Sequence, residues 1–434
     1  MKNRKLLLLK EFGHCFCAIL EDDRLVQLEG FGNDETEEEE LGNIYVGRVE
    51  NIVKNINAAF ISYGKKGEKK YAYLDLSVYE NMKPEHGPVF TKHAGTPSKH
   101  KTEQSCVSIH MQDELIIQIS KPAVKLKRAT ATCEFQLPGK FLVYFHGIPK
   151  IAVSSKIKDK QKRKEFTEML QPYLTETSGI LVRTNAMDAS GQEILSEAEF
   201  FKNQYEAILS EGIHQTSGTC LYREAPAYLR CLKNEKITDH TEILVEDEAL
   251  YREAMDYVKK FLPEDVDKIY RYENPGISLF HLYGIRHKIE KAASQRVWLK
   301  SGGFLVIEPT EALTVIDVNT GKAIDGKKSR EDTFFRINLE AAKEIAYQLR
   351  VRNLSGIIII DFIDMKDKDK TAQLIREFQQ YIASDPVKCN FAGMTKLHLA
   401  EMTRQKTGKP LHERMTESIR QQIFHTTEGD TNAK

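Results

Sequence analysis

The sequence predicts a multidomain α/β protein, on three observations. The first is a strand–helix–strand pattern towards the C-terminal end. Ala312-Leu313-Thr314-Val315-Ile316-Asp317-Val318-Asn319 and Gly356-Ile357-Ile358-Ile359-Ile360-Asp361 are continuous apolar runs rich in β-branched residues, and each reads as a strand buried on both faces. Between them, residues 338–350 place Leu339, Ala342, Ile345, Ala346 and Leu349 on one helical stripe. This is a βαβ unit, so the two strands are expected to be parallel neighbours. The second observation is a succession of short, glycine-punctuated strands over residues 42–121, which suggests a small barrel. The third is size: 434 residues, 41% of them apolar, allow two to four domains with sizeable cores.

Taken in order, residues 1–30 alternate in strand fashion and turn at Glu21-Asp22-Asp23. The acidic run 34–40 reads as a solvated loop. Within 42–121 the strands fall at 43–49, 58–64, 71–76 and 114–119, and residues 86–105 are polar and aperiodic, a long loop. Residues 122–220 mix strands with one strongly basic helix. It runs from Lys156-Ile157-Lys158-Asp159-Lys160 into Phe166, Met169 and Leu170, and its basic face suits solvent or nucleic acid. Residues 223–297 carry helical segments, with Leu250, Met255, Val258 and Phe261 on one face. Residues 298–407 hold the βαβ unit. The segment from Pro410 is polar, a short helix followed by disorder.

Charge names no partner, because Lys+Arg and Asp+Glu both number 63. Seven cysteines at 15, 17, 106, 133, 220, 231 and 389 include no Cys-x-x-Cys pair. No zinc site is therefore predicted, and the pattern suits a reducing, cytoplasmic location. The apolar stretch Leu6 to Leu9 is too short for a secretory leader and reads as a first strand. No run has the length of a membrane span.

A buried, unpaired carboxylate is costly, so an Asp closing a buried strand must reach solvent, pair with a cation or hold a metal. Parallel pairing would bring Asp317, Asn319, Asp361 and Asp364 to one sheet edge, where open α/β sheets usually bind ligands. All-oxygen donors of this kind suit Mg²⁺ or Mn²⁺ and the chemistry of phosphoryl transfer and nucleases. Asp364 reads equally well as a cap for the turn that follows.

These residues carry a resemblance. Ile316-Asp317-Val318-Asn319, Ile337-Asn338-Leu339-Glu340-Ala341-Ala342, Ile345-Ala346-Tyr347-Gln348-Leu349-Arg350 and Ile360-Asp361-Phe362-Ile363-Asp364-Met365 resemble the catalytic core of the ribonuclease E/G family. Ser301-Gly302-Gly303, Glu311-Ala312-Leu313-Thr314 and Glu401-Met402-Thr403-Arg404-Gln405 agree with it. The resemblance spans most of residues 1–407, and its most specific block is 310–365. It implies an RNase H-like and DNase I-like catalytic core with an inserted S1-type OB-fold β-barrel and a 5′-sensor subdomain. The implied boundaries are 1–41 and 223–297 for the RNase H-like part, 42–121 for the barrel, 122–222 for the sensor, 298–407 for the DNase I-like part and 408–434 for a polar tail.

The resemblance further implies a Mg²⁺-dependent endoribonuclease. It would hydrolyse single-stranded RNA to 5′-phosphate products in rRNA or mRNA processing or decay. The family's metal-holding Asp pair falls on Asp317 and Asp361, its supporting Asn on Asn319, and an Arg near the reacting phosphate on Arg404. Its base-stacking aromatics fall on Phe60 and Tyr73, the latter where Phe is usual, and a basic barrel-edge residue on Lys121. The other reading of Phe60 is barrel core, since strand alternation leaves its face open, and stacking is the favoured one. Arg48, Lys65, Lys66, Lys69 and Lys70 suit either phosphate contacts or a solvated surface. Arg183 and Thr184 match the clamp for a 5′-phosphate.

Departures accompany the match. Lys127-Arg128 stands where a Lys-Gly step is usual, and Ser155-Lys156 replaces an Arg pair, so end-sensing is expected to be altered. After Gln405 the chain reads Thr407-Gly408-Lys409-Pro410-Leu411-His412-Glu413, without the family's Cys-Pro-x-Cys zinc link. A monomer and a homo-oligomer without a zinc link both stay open. Two rivals stand beside the endoribonuclease: a non-catalytic RNA-binding protein of the same fold, and a nuclease acting on DNA.

Overall fold

The computed structural model describes residues 3–31, 40–65, 67–79, 86–92, 108–123, 128–235, 237–238, 240–321 and 330–424. Most of the acidic run at 34–40, most of the polar stretch 86–105, Lys66, Lys127 and the last ten residues of the chain lie outside them. The chain forms two compact units.

One unit comprises Asn33–Ile237 and Ala254–Val266. Its first element is a closed five-stranded barrel of β1 (Ile44–Val53), β2 (Ala58–Tyr63), β3 (Lys70–Asp75), β4 (Glu114–Lys121) and β5 (Ala129–Thr132). The order is β1-β2-β3-β5-β4, and β4 returns to β1 with Ile44 opposite Gln118 and Arg48 opposite Glu114. Only β3 and β5 run parallel within this ring. The closed ring is compatible with an OB-fold. Val49, Ala59, Ile61, Ala72, Leu74, Leu115, Ile117 and Ile119 fill the interior. Gly47 lets β1 cross close to them: a Cβ there would lie 2.5 Å from Ile61 and 2.8 Å from Ile117. The stretch expected to be one long loop contains a short strand, Phe90–Lys92, paired to β4.

The same unit holds a four-stranded sheet in the order Gln136–Pro138, Leu142–His146, Ser178–Val182, Ile151–Val153. The helices Lys160–Leu170 and Gly191–Gly212 pack Phe166, Leu170, Phe201 and Tyr205 against Leu142, Tyr144 and Ile180. The basic helix begins later than its charge pattern suggests. The Asp159 side chain accepts from the backbone of Gln161 (2.8 Å) and Lys162 (3.1 Å) and so fixes the start at Lys160.

The other unit comprises Met1–Gly32, Thr238–Glu253 and Asp267–Lys434. Its first sheet runs Ile269–Arg271, Thr241–Val245, Arg4–Glu11, His14–Glu21, Arg24–Glu29, with Arg4–Leu8 parallel to Thr241–Val245. Leu7, Leu9, Phe16 and Phe31 pack there with Phe280, Ile285 and Ile289. The segment expected to be a polar tail enters this core. Leu411 of the short helix Leu411–Arg414, Met415 just after it, and Ile419 and Ile423 of the helix Glu417–Phe424 are all buried in it. Ile419 and Ile423, four residues apart on one helix, share its buried stripe although the segment as a whole is polar.

The second sheet of this unit has six strands: β6 (Arg296–Trp298), β7 (Phe304–Pro309), β8 (Leu313–Asn319), β9 (Gly356–Asp361), β10 (Cys389–Met394) and β11 (Leu399–Arg404), in the order β6-β7-β8-β9-β11-β10. Helices α1 (Arg330–Val351) and α2 (Lys368–Ala383) belong to its core. Leu305, Ile307, Ile316, Val318, Ile358, Ile360, Ala400 and Met402 meet Ile337, Ala341, Ile345, Leu374 and Phe378 there. The alternate residues point to the opposite face, on which Ile357 is 51% exposed. The two Asp-bearing strands are therefore buried on one face rather than both, so their carboxylates reach the open face instead of the core. Among the described residues no helix is long and apolar enough to cross a membrane.

Candidate active site

The parallel pairing of β8 with β9 sets Leu313 opposite Ile357 and, four residues on, Asp317 opposite Asp361. Both carboxylates are exposed on the open face at the C-terminal end of the strands. Asn319, two residues beyond Asp317 and so on the same face, donates its side-chain amide to Asp317 Oδ2 at 2.7 Å. Partial burial raises the Asp361 carboxyl above the ordinary carboxylate range, and the charges of Asp317 and Asp364 push it further. Asp364 itself lies 3.5 Å from His398 Nδ1.

Neighbouring loops are tied to this edge by groups whose role the sequence reading did not assign. The buried Asn338 side chain donates to the Ile363 carbonyl (2.8 Å) and accepts from the Ile363 amide (3.0 Å), fixing the turn after β9. Glu340 accepts from the backbone amides of Lys300 (2.6 Å) and Ser301 (3.0 Å). Gly303 then passes the end of β8 so closely that a Cβ would sit 2.8 Å from the Asn319 carbonyl. The Ser-Gly-Gly motif is thereby explained as backbone approach beside the site.

Two carboxylates and an amide are a fitting donor set for Mg²⁺, which is usually held by one or two carboxylates and completes its shell with water and substrate phosphate. Three or more His, Cys, Asp or Glu gathered as a metal cage do not occur among the described residues. The mutual repulsion of Asp317, Asp361 and Asp364 is what a divalent cation between them would relieve.

Arg404 is not at this edge. β9 and β11 are antiparallel, with Asp361 opposite Leu399 but Arg404 opposite Gly356 at the far end. Five residues of strand separate the Arg404 row from the Asp361 row, roughly 16 Å. Arg404 is also buried, and its guanidinium is occupied by Asp385 (2.9 and 3.4 Å), Asn353 Oδ1 (2.9 Å) and the Leu354 carbonyl (3.0 Å). Expected near the reacting phosphate, it is instead an internal clamp.

In the other unit, Phe60 lies opposite Tyr73, Tyr73 opposite Thr130, and Thr130 opposite Lys121. The three expected RNA-contacting residues thus share one row across the barrel. Phe60 and Tyr73 are half-buried and alternate with interior Ala59, Ile61, Ala72 and Leu74, so Phe60 is outside the barrel core. Their rings meet edge to face, centroids 6.4 Å apart. The guanidinium of Arg128 stands 5.0 Å from the Phe60 ring and 5.3 Å from Tyr71, so the departure at that position adds a cation to the aromatic row. Of the other candidate cations, Arg48 pairs with Glu114 (2.6 Å), Lys69 with Glu50 (2.7 Å) and Lys70 with Glu40 (2.7 Å).

Arg183 and Thr184 follow the strand Ser178–Val182. Arg183 donates to the Gly139 carbonyl and to Asn234 Oδ1 (3.0 Å), and burial lowers its pKa. Thr184 Oγ1 is exposed, 3.4 Å from Ser154 Oγ. Two of the guanidinium's nitrogens are thus already engaged.

Comparison with known proteins covers most of the chain. The Ribonuclease E/G family model matches residues 136–407. Ribonuclease G of Haemophilus influenzae is 31% identical over 376 residues, covering 86% of this chain and 73% of that protein. Ribonuclease G of Escherichia coli K12 is 32% identical over 368 residues, covering 85% and 73%. Ribonuclease E of Synechocystis is 30% identical over 384 residues, 87% of this chain but 54% of that longer protein. With a family model matched over more than half its length and relatives of this identity, the chain belongs to the ribonuclease E/G family.

Proposed function

We propose that the endoribonuclease activity indicated by family membership is centred on Asp317 and Asp361, which hold a Mg²⁺ ion, and that it cuts single-stranded RNA to leave 5′-phosphate ends. The observation that carries this reading is the register of β8 and β9, which sets the two carboxylates side by side on an open face. When bound, the ion neutralises charge on the scissile phosphate and acidifies water. The protein's own part is preorganisation. Asn319 holds Asp317 through its Oδ2 oxygen alone. Asn338 and Glu340 fix the loops on either side. Arg404, used internally, has no place in this scheme.

The barrel supports the choice of substrate: its Phe60–Tyr73–Lys121 row, with Arg128, offers aromatic faces beside cations, as single-strand binding requires. We read it as an S1-type OB domain. The sheet that Arg183 and Thr184 follow is read as part of a 5′-end sensor, the N-terminal sheet as RNase H-like and the six-stranded sheet as DNase I-like. Processing or decay of cytoplasmic RNA is the fitting role, and the lack of the zinc-link cysteines argues that assembly, if any, is zinc-free.

The test is incubation of an end-labelled A/U-rich RNA with Mg²⁺ or chelator, beside the Asp317→Asn/Asp361→Asn variant. Internal cuts that need metal and both Asp residues are expected, with RNA affinity retained in the variant. Cutting that survives the double change would remove the carboxylates from the mechanism.

A further inference from the structure

The open face of the six-stranded sheet carries a second feature beside the carboxylates. Trp298 of β6 lies opposite Phe304 of β7, which lies opposite Asn319 of β8. In the adjoining row Arg296 lies opposite Val306, and Val306 opposite Asp317. Cross-strand partners share a face. Trp298, Phe304 and Arg296 therefore stand on the Asp317 side of the sheet, Phe304 one strand (roughly 5 Å) and Trp298 and Arg296 two strands (roughly 10 Å) from β8.

The three side chains form one cluster. The Trp298 and Phe304 rings are 5.1 Å apart at 55°, and the Arg296 guanidinium lies 4.6 Å from the Phe304 ring and 6.0 Å from Trp298. Trp298 is nevertheless 62% exposed, on an edge strand, and is absent from the core beneath the sheet. A large aromatic left in water beside a cation contributes little to folding. It is the arrangement that stacks a nucleobase and steadies its phosphate.

We propose that Trp298, Phe304 and Arg296 form a base-stacking subsite for the nucleotide next to the scissile phosphate. This rests on the reading of Asp317 and Asp361 as the cutting centre. The base lies on the exposed Trp298 ring, Phe304 supports that ring from within, and Arg296 supplies the positive charge that draws an anionic strand towards an otherwise acidic edge. The subsite would set which base is preferred beside the cut, and would hold the backbone in register with the carboxylates.

Trp298 is the single tryptophan of the chain, so its emission reports this position alone. Short single-stranded RNA is titrated into the wild-type protein in chelator, where binding proceeds without cutting. Saturable quenching is expected, and an abasic strand of equal length should leave the emission unchanged. With Mg²⁺, Trp298→Ala should lower kcat/KM roughly tenfold and flatten the base preference beside the cut, while Trp298→Phe keeps most of both. Unchanged emission under bound RNA, or an unaltered rate and cleavage pattern in Trp298→Ala, overturns the subsite. So does emission that changes with protein concentration before RNA is added, which would make the patch an interface between copies. In each of these cases the centre still stands if cutting needs Asp317 and Asp361. If cutting survives Asp317→Asn/Asp361→Asn, the centre fails whatever Trp298 does.

Discussion

At the scale of single residues, the same sheet puts charge to two opposite uses. Asp317 and Asp361 face solvent with like charges close together, which is unfavourable until a cation arrives. Arg404 faces inward with nearly every donor matched, its charge balanced by the buried Asp385. Removing one partner of such a buried pair strands the other, at a cost of about 3–5 kcal/mol. Arg404→Ala should therefore unfold at markedly lower urea concentration. Arg404→Lys keeps the charge but loses the fork that reaches Asp385 and Asn353 together, so it should be less stable than wild type yet cut at a near-wild-type rate well below its melting temperature. Should Arg404→Lys instead melt like the wild type and fail to cut, the guanidinium acts on substrate and its assignment as a clamp is wrong.

At the scale of elements, alternation decides what each strand residue does. Adjacent residues of β2 make the point: Ile61 is fully buried in the barrel and Phe60 is not. Ile61→Ala should cost about 2–5 kcal/mol of stability. Phe60→Ala should leave melting nearly unchanged and weaken single-stranded RNA binding by about 1–3 kcal/mol, read by filter binding or anisotropy. Equal affinity in Phe60→Ala would take the ring out of RNA contact. The sequence shows that β2 exists, because β-branched and aromatic residues lie between turn signals. It does not show which face of β2 closes on the barrel, since Ala58, Ala59, Phe60 and Ile61 are all apolar. The carboxylate pair was legible for the converse reason: a long helix between two apolar runs favours parallel pairing, and each Asp lies five residues after the start of its run, at Ala312 and at Gly356. Arg404 was not, because the offset between antiparallel strands joined through α2, β10 and a turn is set by tertiary packing rather than by any local pattern. The Trp298–Phe304 pair escaped notice likewise, since only the pairing of β6 with β7 brings the two rings together.

At the scale of the unit that holds the candidate site, the C-terminal segment is structural. Its charged and polar majority hides four apolar side chains, Leu411, Met415, Ile419 and Ile423, that complete the core beneath the N-terminal sheet. Arg414 adds a buried donor to the Leu28 carbonyl at 3.0 Å. Burying four such side chains contributes on the order of 10 kcal/mol, which matches the whole stability of an ordinary domain. A chain ending at Gln405 retains every residue of the six-stranded sheet that carries the carboxylates, yet it leaves Leu7, Phe16 and Phe280 partly uncovered. Such a truncation should lose its cooperative melting transition, bind hydrophobic dye and accumulate in the insoluble fraction. Ile419→Ala in the full chain should show the same weakness in milder form, about 2–5 kcal/mol by urea denaturation. A truncated chain that melts as sharply as the full one would show instead that the N-terminal core closes without these helices, and that the segment serves some other end.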